Sequence, residues 1–259
     1  MDRAVVETFR HDRLVIALSL LAIVGLAWWY LYLDAARHLH AGHLGHLEGA
    51  LPFSFEAFFT TFVMWSVMMV GMMVPSIAPT VLLYAGMVRK NHEQGRTLAA
   101  ATVFTIGYLL AWAAYSAGAA ILQLIFTKFA LMSPLLVSNS VYLTAGILIL
   151  AGVYQFMPLK DKCMELCRSP MYFIMTRWHP GNWGAVRMGF ENGIYCIGCC
   201  WALMLVMFVG GVMNLFLMAI LAVFFIMEKL APFGTQTARL VGVLLIGLGL
   251  WTVYNGGLV

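Results

Sequence analysis

The chain has 259 residues, of which 63% are hydrophobic and 10% charged, with a formal net charge of +4 and a mean hydropathy of +0.89. Soluble domains carry roughly 25% charged residues, so this composition excludes a water-soluble globule. It points to helices that satisfy their own backbone groups in lipid. The positive excess calls for no nucleic acid, because it partitions with membrane topology as described below.

Apolar stretches able to cross roughly 30 Å of hydrocarbon as helices fall at about 14–33, 55–88, 98–127, 136–157, 184–210, 212–231 and 238–257. They predict an all-α, polytopic bundle of about seven transmembrane helices, with residues 1–259 forming one transmembrane domain. The first stretch, Leu14 to Leu33, is too long for a signal-peptide core, and no small-x-small cleavage site follows it. It reads as a retained span ending in the interfacial aromatics Trp28, Trp29, Tyr30 and Tyr32. With a short cytoplasmic N-terminus at 1–13, every lysine and arginine except Arg37 and Lys128 lies on the inner side. That distribution follows the positive-inside rule and predicts a multi-pass protein of the bacterial inner membrane.

The first external loop, residues 34–54, carries His38, His40, His43 and His46. Dense histidine is a metal-binding composition, and His40 and His43 are its candidate ligands; a solvated loop is the plain alternative. The second span holds Met64, Met68, Met69, Met72 and Met73 just before Pro75 and Pro79. On a helix, Met64, Met68 and Met72 form a stripe that Met69 and Met73 widen. Thioethers on an inward face suit Cu(I), although methionine also fills irregular cores. The two prolines predict a kink or break near mid-membrane.

A cytoplasmic loop at 158–183 carries Cys163 and Cys167 among basic residues. Lys160, Lys162 and Arg168 nearby are expected to favour thiolate. The fifth span opens on Glu191 and Asn192 and carries Cys196, Cys199 and Cys200 at i, i+3, i+4, with Met204 and Met207 on nearly the same face beyond them. These thiols either hold a metal or pack as small hydrophobes. The loop pair would complete a four-sulfur site of the kind zinc or an iron–sulfur cluster takes. An odd number of cysteines on the reducing side argues against a disulfide framework.

Glu228 and Lys229, adjacent in the sixth span, cannot share a face; Arg187 and Arg239 are candidate partners. The glycines of the seventh span, Gly242, Gly247 and Gly249, beside Trp251, offer a close-packing surface for another subunit. No phosphate loop, nucleophile elbow or dinucleotide fingerprint is present, so ATP-driven pumping by this chain is disfavoured and no catalytic residue is assigned.

Three segments carry a family resemblance: MMVGMMVPSIAP (Met68 to Pro79), YQFMPLKDKCMELCRSP (Tyr154 to Pro170) and GIYCIGCCWALM (Gly193 to Met204), extended by GVMN and EKLAP. On these the chain resembles a bacterial family of predicted metal-binding integral membrane proteins. The resemblance implies that Cys163, Cys167, Cys196, Cys199, Cys200 and the Met68–Met73 run are the positions to watch; it implies no mechanism, and the histidine tract lies outside its motifs. The expectation is a membrane protein that binds or relays Cu(I). The alternatives are an accessory subunit of a larger oxidoreductase or transport complex, or a membrane-embedded metalloenzyme. Expected partners are the lipid bilayer and membrane subunits or further copies of the chain, with no nucleic acid.

Overall fold

The protein is described here by a computed structural model covering residues 3–43, 54–90, 97–129, 131, 138, 140–231 and 233–256. These residues form an all-α fold: α1 (Arg3–His43), α2 (Phe55–Lys90), α3 (Thr97–Lys128), α4 (Val141–Tyr154), α5 (Pro158–Arg168), α6 (Pro170–Thr176), α7 (Gly181–Met204), α8 (Met207–Gly210), α9 (Leu215–Leu230) and α10 (Gly234–Gly256).

Among the described residues, five helical stretches are long and apolar enough to cross a membrane: Arg13–Arg37, Phe55–Val88, Ala100–Lys128, Gly181–Gly210 and Gly234–Gly256. A sixth exists if α4 and α5, bent by 63° at their junction, are taken as one broken span. Five or six such spans thus stand where about seven were expected. At 1.5 Å per residue, the 14 residues of α4 and the 16 of α9 reach about 21 and 24 Å, short of the hydrocarbon thickness. The cause is local. Ser140 and Asn214 cap these helices by accepting from the backbone N–H groups of Leu143 and Leu217, and so start each helix inside its apolar stretch. The turn before α9 is made by Gly211, whose φ of +94° favours glycine.

Three other expectations change. The expected break in the second span is absent: α2 runs through Pro75 and Pro79 without interruption. The loop expected to begin at Asp34 starts later, because α1 continues to His43. The cytoplasmic loop at 158–183 folds into α5 and α6, each opened by a proline in its first turn, where the missing N–H costs nothing.

The bundle is assembled on close glycine contacts. α3 lies along α7, α4 along α10, and α2 against both α1 and α3. A Cβ on Gly189 of α7 would overlap the Phe104 carbonyl of α3, and one on Gly193 would come 2.6 Å from the Ala111 Cβ. Gly242 and Gly249 of α10 face α4, where added Cβ atoms would come 2.8 Å from the Gln155 Cβ and 2.6 Å from the Ile149 Cγ1. Those two glycines therefore serve packing within the chain rather than an outside subunit. The close α3–α7 approach sets Tyr108 against the cysteines of α7.

Candidate metal centre

The methionine face of α2 points inward. Met68, Met69, Met72 and Met73 are each no more than 1% exposed, with Met64 and the α7 thioether Met204 also buried. The helix passes its prolines because neighbours supply what they remove. Pro75 has no N–H for the Gly71 carbonyl four residues earlier, and the indole Nε1 of Trp28 on α1 donates to that oxygen at 3.2 Å. The Met73 carbonyl accepts from the Ser76 hydroxyl at 2.8 Å and the Tyr108 hydroxyl at 3.5 Å. Met73 is thus held by its backbone with its sulfur inside the bundle.

Cys196 on α7 meets it. The Cys196 Sγ lies 3.9 Å from the Met73 Sδ and 3.1 Å from the Tyr108 hydroxyl. One turn on, the Cys199 Sγ donates to the Cys196 carbonyl at 3.0 Å and lies 3.9 Å from the Cys167 Sγ of α5. Cys200 donates to the same carbonyl at 2.8 Å, so its thiol bonds back along its own helix. The Cys196 Sγ thus sits beside Met73 of α2, and the Cys199 Sγ beside Cys167 of α5. Cys163 comes in over Gly198, where an added Cβ would lie 2.7 Å from its sulfur. α7 ends at Met204 and α8 begins at Met207, and both methionines are buried.

Cys196 and Cys167 border one small cavity of about 10 Å³, together with Ser76, Ile77, Thr80, Tyr108, Asn192 and Lys229. That is roughly the room one water needs, enough for an ion and far too little for an organic substrate. Lys229 is the functional residue that sequence reading missed. Its Nζ donates to the Cys196 Sγ at 2.9 Å and the Ser76 hydroxyl at 3.0 Å, with the Met73 Sδ at 4.0 Å. The signal was a lysine in a buried apolar helix, and it was misassigned. Glu228 pairs with Lys160, which also donates to Gln155, while Arg187 pairs with Glu191 at 3.0 Å. Neither arginine proposed as a partner is needed.

Two of the basic residues around the α5 thiols are committed elsewhere. Lys160 is buried on Glu228, and Arg168 donates to the Ala231 carbonyl and to the Thr235 hydroxyl at 3.1 Å. Cys163, on the amphipathic α5, is partly buried. All five cysteines are free thiols. Among the described residues, no three histidine, cysteine, aspartate or glutamate side chains gather closely enough to hold a metal ion. The four-sulfur centre expected for zinc or an iron–sulfur cluster is therefore not assembled. The side chain that α2 brings to Cys196 is a thioether, Met73. His40 and His43 fall on the last turns of α1, and their side chains lie outside the described residues, as does His46.

One family matches the chain: PpoB2, described as a copper chaperone, over residues 62–252. The match takes in the whole methionine face and all five cysteines and excludes the histidine tract. Neither a curated protein nor a solved structure matches the chain.

Proposed function

The chain belongs to the copper chaperone family, and from that premise we propose that it holds Cu(I) within the inner membrane and passes it between buried sulfur ligands. The Cys196–Met73 pair is the inner station. The Cys199–Cys167 pair is the station toward the cytoplasmic side, with Cys163 beside it. Met68, Met69, Met72 and Met204 extend the sulfur lining through the bundle. Copper here is cargo, and the protein catalyses no bond rearrangement.

The observation that carries this reading is the 3.9 Å separation of the Cys196 and Met73 sulfurs on two different helices. Two sulfurs that close both reach a single ion at the roughly 2.3 Å of a metal–thiolate bond. Thiolate and thioether are soft donors that favour Cu(I) over hard cations. The Cys199–Cys167 sulfurs have the same spacing, so an ion exchanges one pair of soft ligands for another without entering water.

The test is Cu(I) titration of the detergent-purified, reduced protein against a chromophoric Cu(I) chelator. Cys196→Ser and Met73→Leu are each expected to weaken binding at least tenfold. Cys200→Ser is expected to leave it within about threefold, because that thiol bonds its own helix whereas Cys196 and Cys199 each also face a sulfur of another helix. Undiminished Cu(I) affinity in Cys196→Ser overturns the proposal.

A further inference from the structure

The cavity at Cys196 holds one charged side chain, and it is a cation. Lys229 directs its ammonium at the Cys196 Sγ, the Ser76 hydroxyl and the Met73 Sδ, at 2.9, 3.0 and 4.0 Å. Those contacts occupy all three donors of an ammonium. The adjacent carboxylate, Glu228, is paired with Lys160, and no carboxylate lines the cavity that Lys229 enters. A lysine whose role was packing would gain nothing from facing two sulfurs that a metal would share.

We infer that Lys229 is a specificity-determining residue: its fixed positive charge beside Cys196 and Met73 admits a soft monovalent ion and rejects divalent ones. The inference rests on the copper reading above and deepens it. When metal is bound, Cys196 is a thiolate. Thiolate and ammonium then sum to zero, so Cu(I) leaves the site at +1 and a divalent ion leaves it at +2. The Lys229 ammonium, 2.9 Å from the Cys196 Sγ, repels each unit of charge on an ion which that sulfur holds. At the effective dielectric that suits buried sites, one extra unit a few ångströms away is worth on the order of 10²-fold or more in affinity. Soft ligation alone does not provide this discrimination, because thiolates also bind zinc well. Lys229 supplies it through charge.

The test compares Cu(I) and Co(II) binding to the same detergent-purified preparations of wild type, Lys229→Gln, Lys229→Arg and Ser76→Asp. Co(II) is read by its thiolate charge-transfer absorption. Lys229→Gln is expected to gain at least tenfold in Co(II) affinity relative to Cu(I), and Lys229→Arg, which keeps the charge, to behave as wild type. Ser76→Asp leaves the lysine in place and cancels its charge from 3.0 Å away; it is expected to gain Co(II) as well, and it serves if Lys229→Gln does not fold. A Co(II)-to-Cu(I) ratio unchanged in the neutralised variants overturns the role of Lys229 while leaving the copper reading intact. Wild type that binds no Cu(I) overturns both.

Discussion

At the scale of single residues, the centre depends on side chains whose hydrogen bonds orient a sulfur. Tyr108 touches both halves of the inner pair, through the Cys196 Sγ at 3.1 Å and the Met73 carbonyl at 3.5 Å. It is fully buried, so its hydroxyl has no water to fall back on. Tyr108→Phe removes that hydroxyl with little change of volume and is expected to cost about 1 kcal/mol of stability, the net worth of a typical hydrogen bond. A thermal unfolding series in detergent measures it. Cys196→Ser in the same series is expected to unfold near wild type, since serine keeps a hydrogen-bonding group beside Tyr108 and Lys229. That comparison separates loss of metal binding from loss of fold.

Among the elements, α2 shows how a helix with two internal prolines stays intact. The carbonyl that Pro75 leaves without its backbone donor is met from α1 by Trp28, so the α1–α2 contact is part of what keeps the methionine face in register. Trp28→Phe preserves an aromatic body but strands the Gly71 oxygen. It is expected to destabilise by about 1–3 kcal/mol, the cost of a buried unsatisfied acceptor, and to loosen Cu(I) binding by letting Met73 shift. Equilibrium unfolding together with Cu(I) titration checks both. An affinity unchanged in a clearly destabilised variant would show that the register of α2 is set elsewhere. The amphipathic α5 belongs to the same scale. Its Cys163 and Cys167 face α7, and its buried Lys160 faces α9.

For the whole molecule, the Lys160–Glu228 pair ties α5 to α9 with both side chains at most 2% exposed. Removing one partner of a buried pair leaves an uncompensated charge, which typically costs about 3–5 kcal/mol, whereas replacing both with apolar groups is often nearly neutral. Glu228→Leu is therefore expected to be the most destabilising substitution considered, and the double variant Lys160→Met, Glu228→Leu much milder. Chemical denaturation of the four proteins of that cycle decides it. Equal costs for the single and double variants would assign the effect to packing rather than charge.

Composition and period alone determined that this protein is helical and apolar, that sulfur dominates its chemistry and that the α2 methionines share a face. These are local properties, because a helix repeats every 3.6 residues whatever surrounds it. Helix length was less legible: α4 and α9 begin at capping side chains inside longer apolar stretches, and hydropathy does not register where a helix starts. Sequence spacing put Cys196, Cys199 and Cys200 on one face of α7, and the helix packed opposite chose what each meets from outside it, Met73 of α2 for Cys196 and Cys167 of α5 for Cys199. Only tertiary structure brought Met73 to Cys196, 123 residues apart, and Lys229 to both. Contacts of that range are set by the glycine-lined approach of α3 to α7 and by the pairing of α5 with α9, which no period within one segment records.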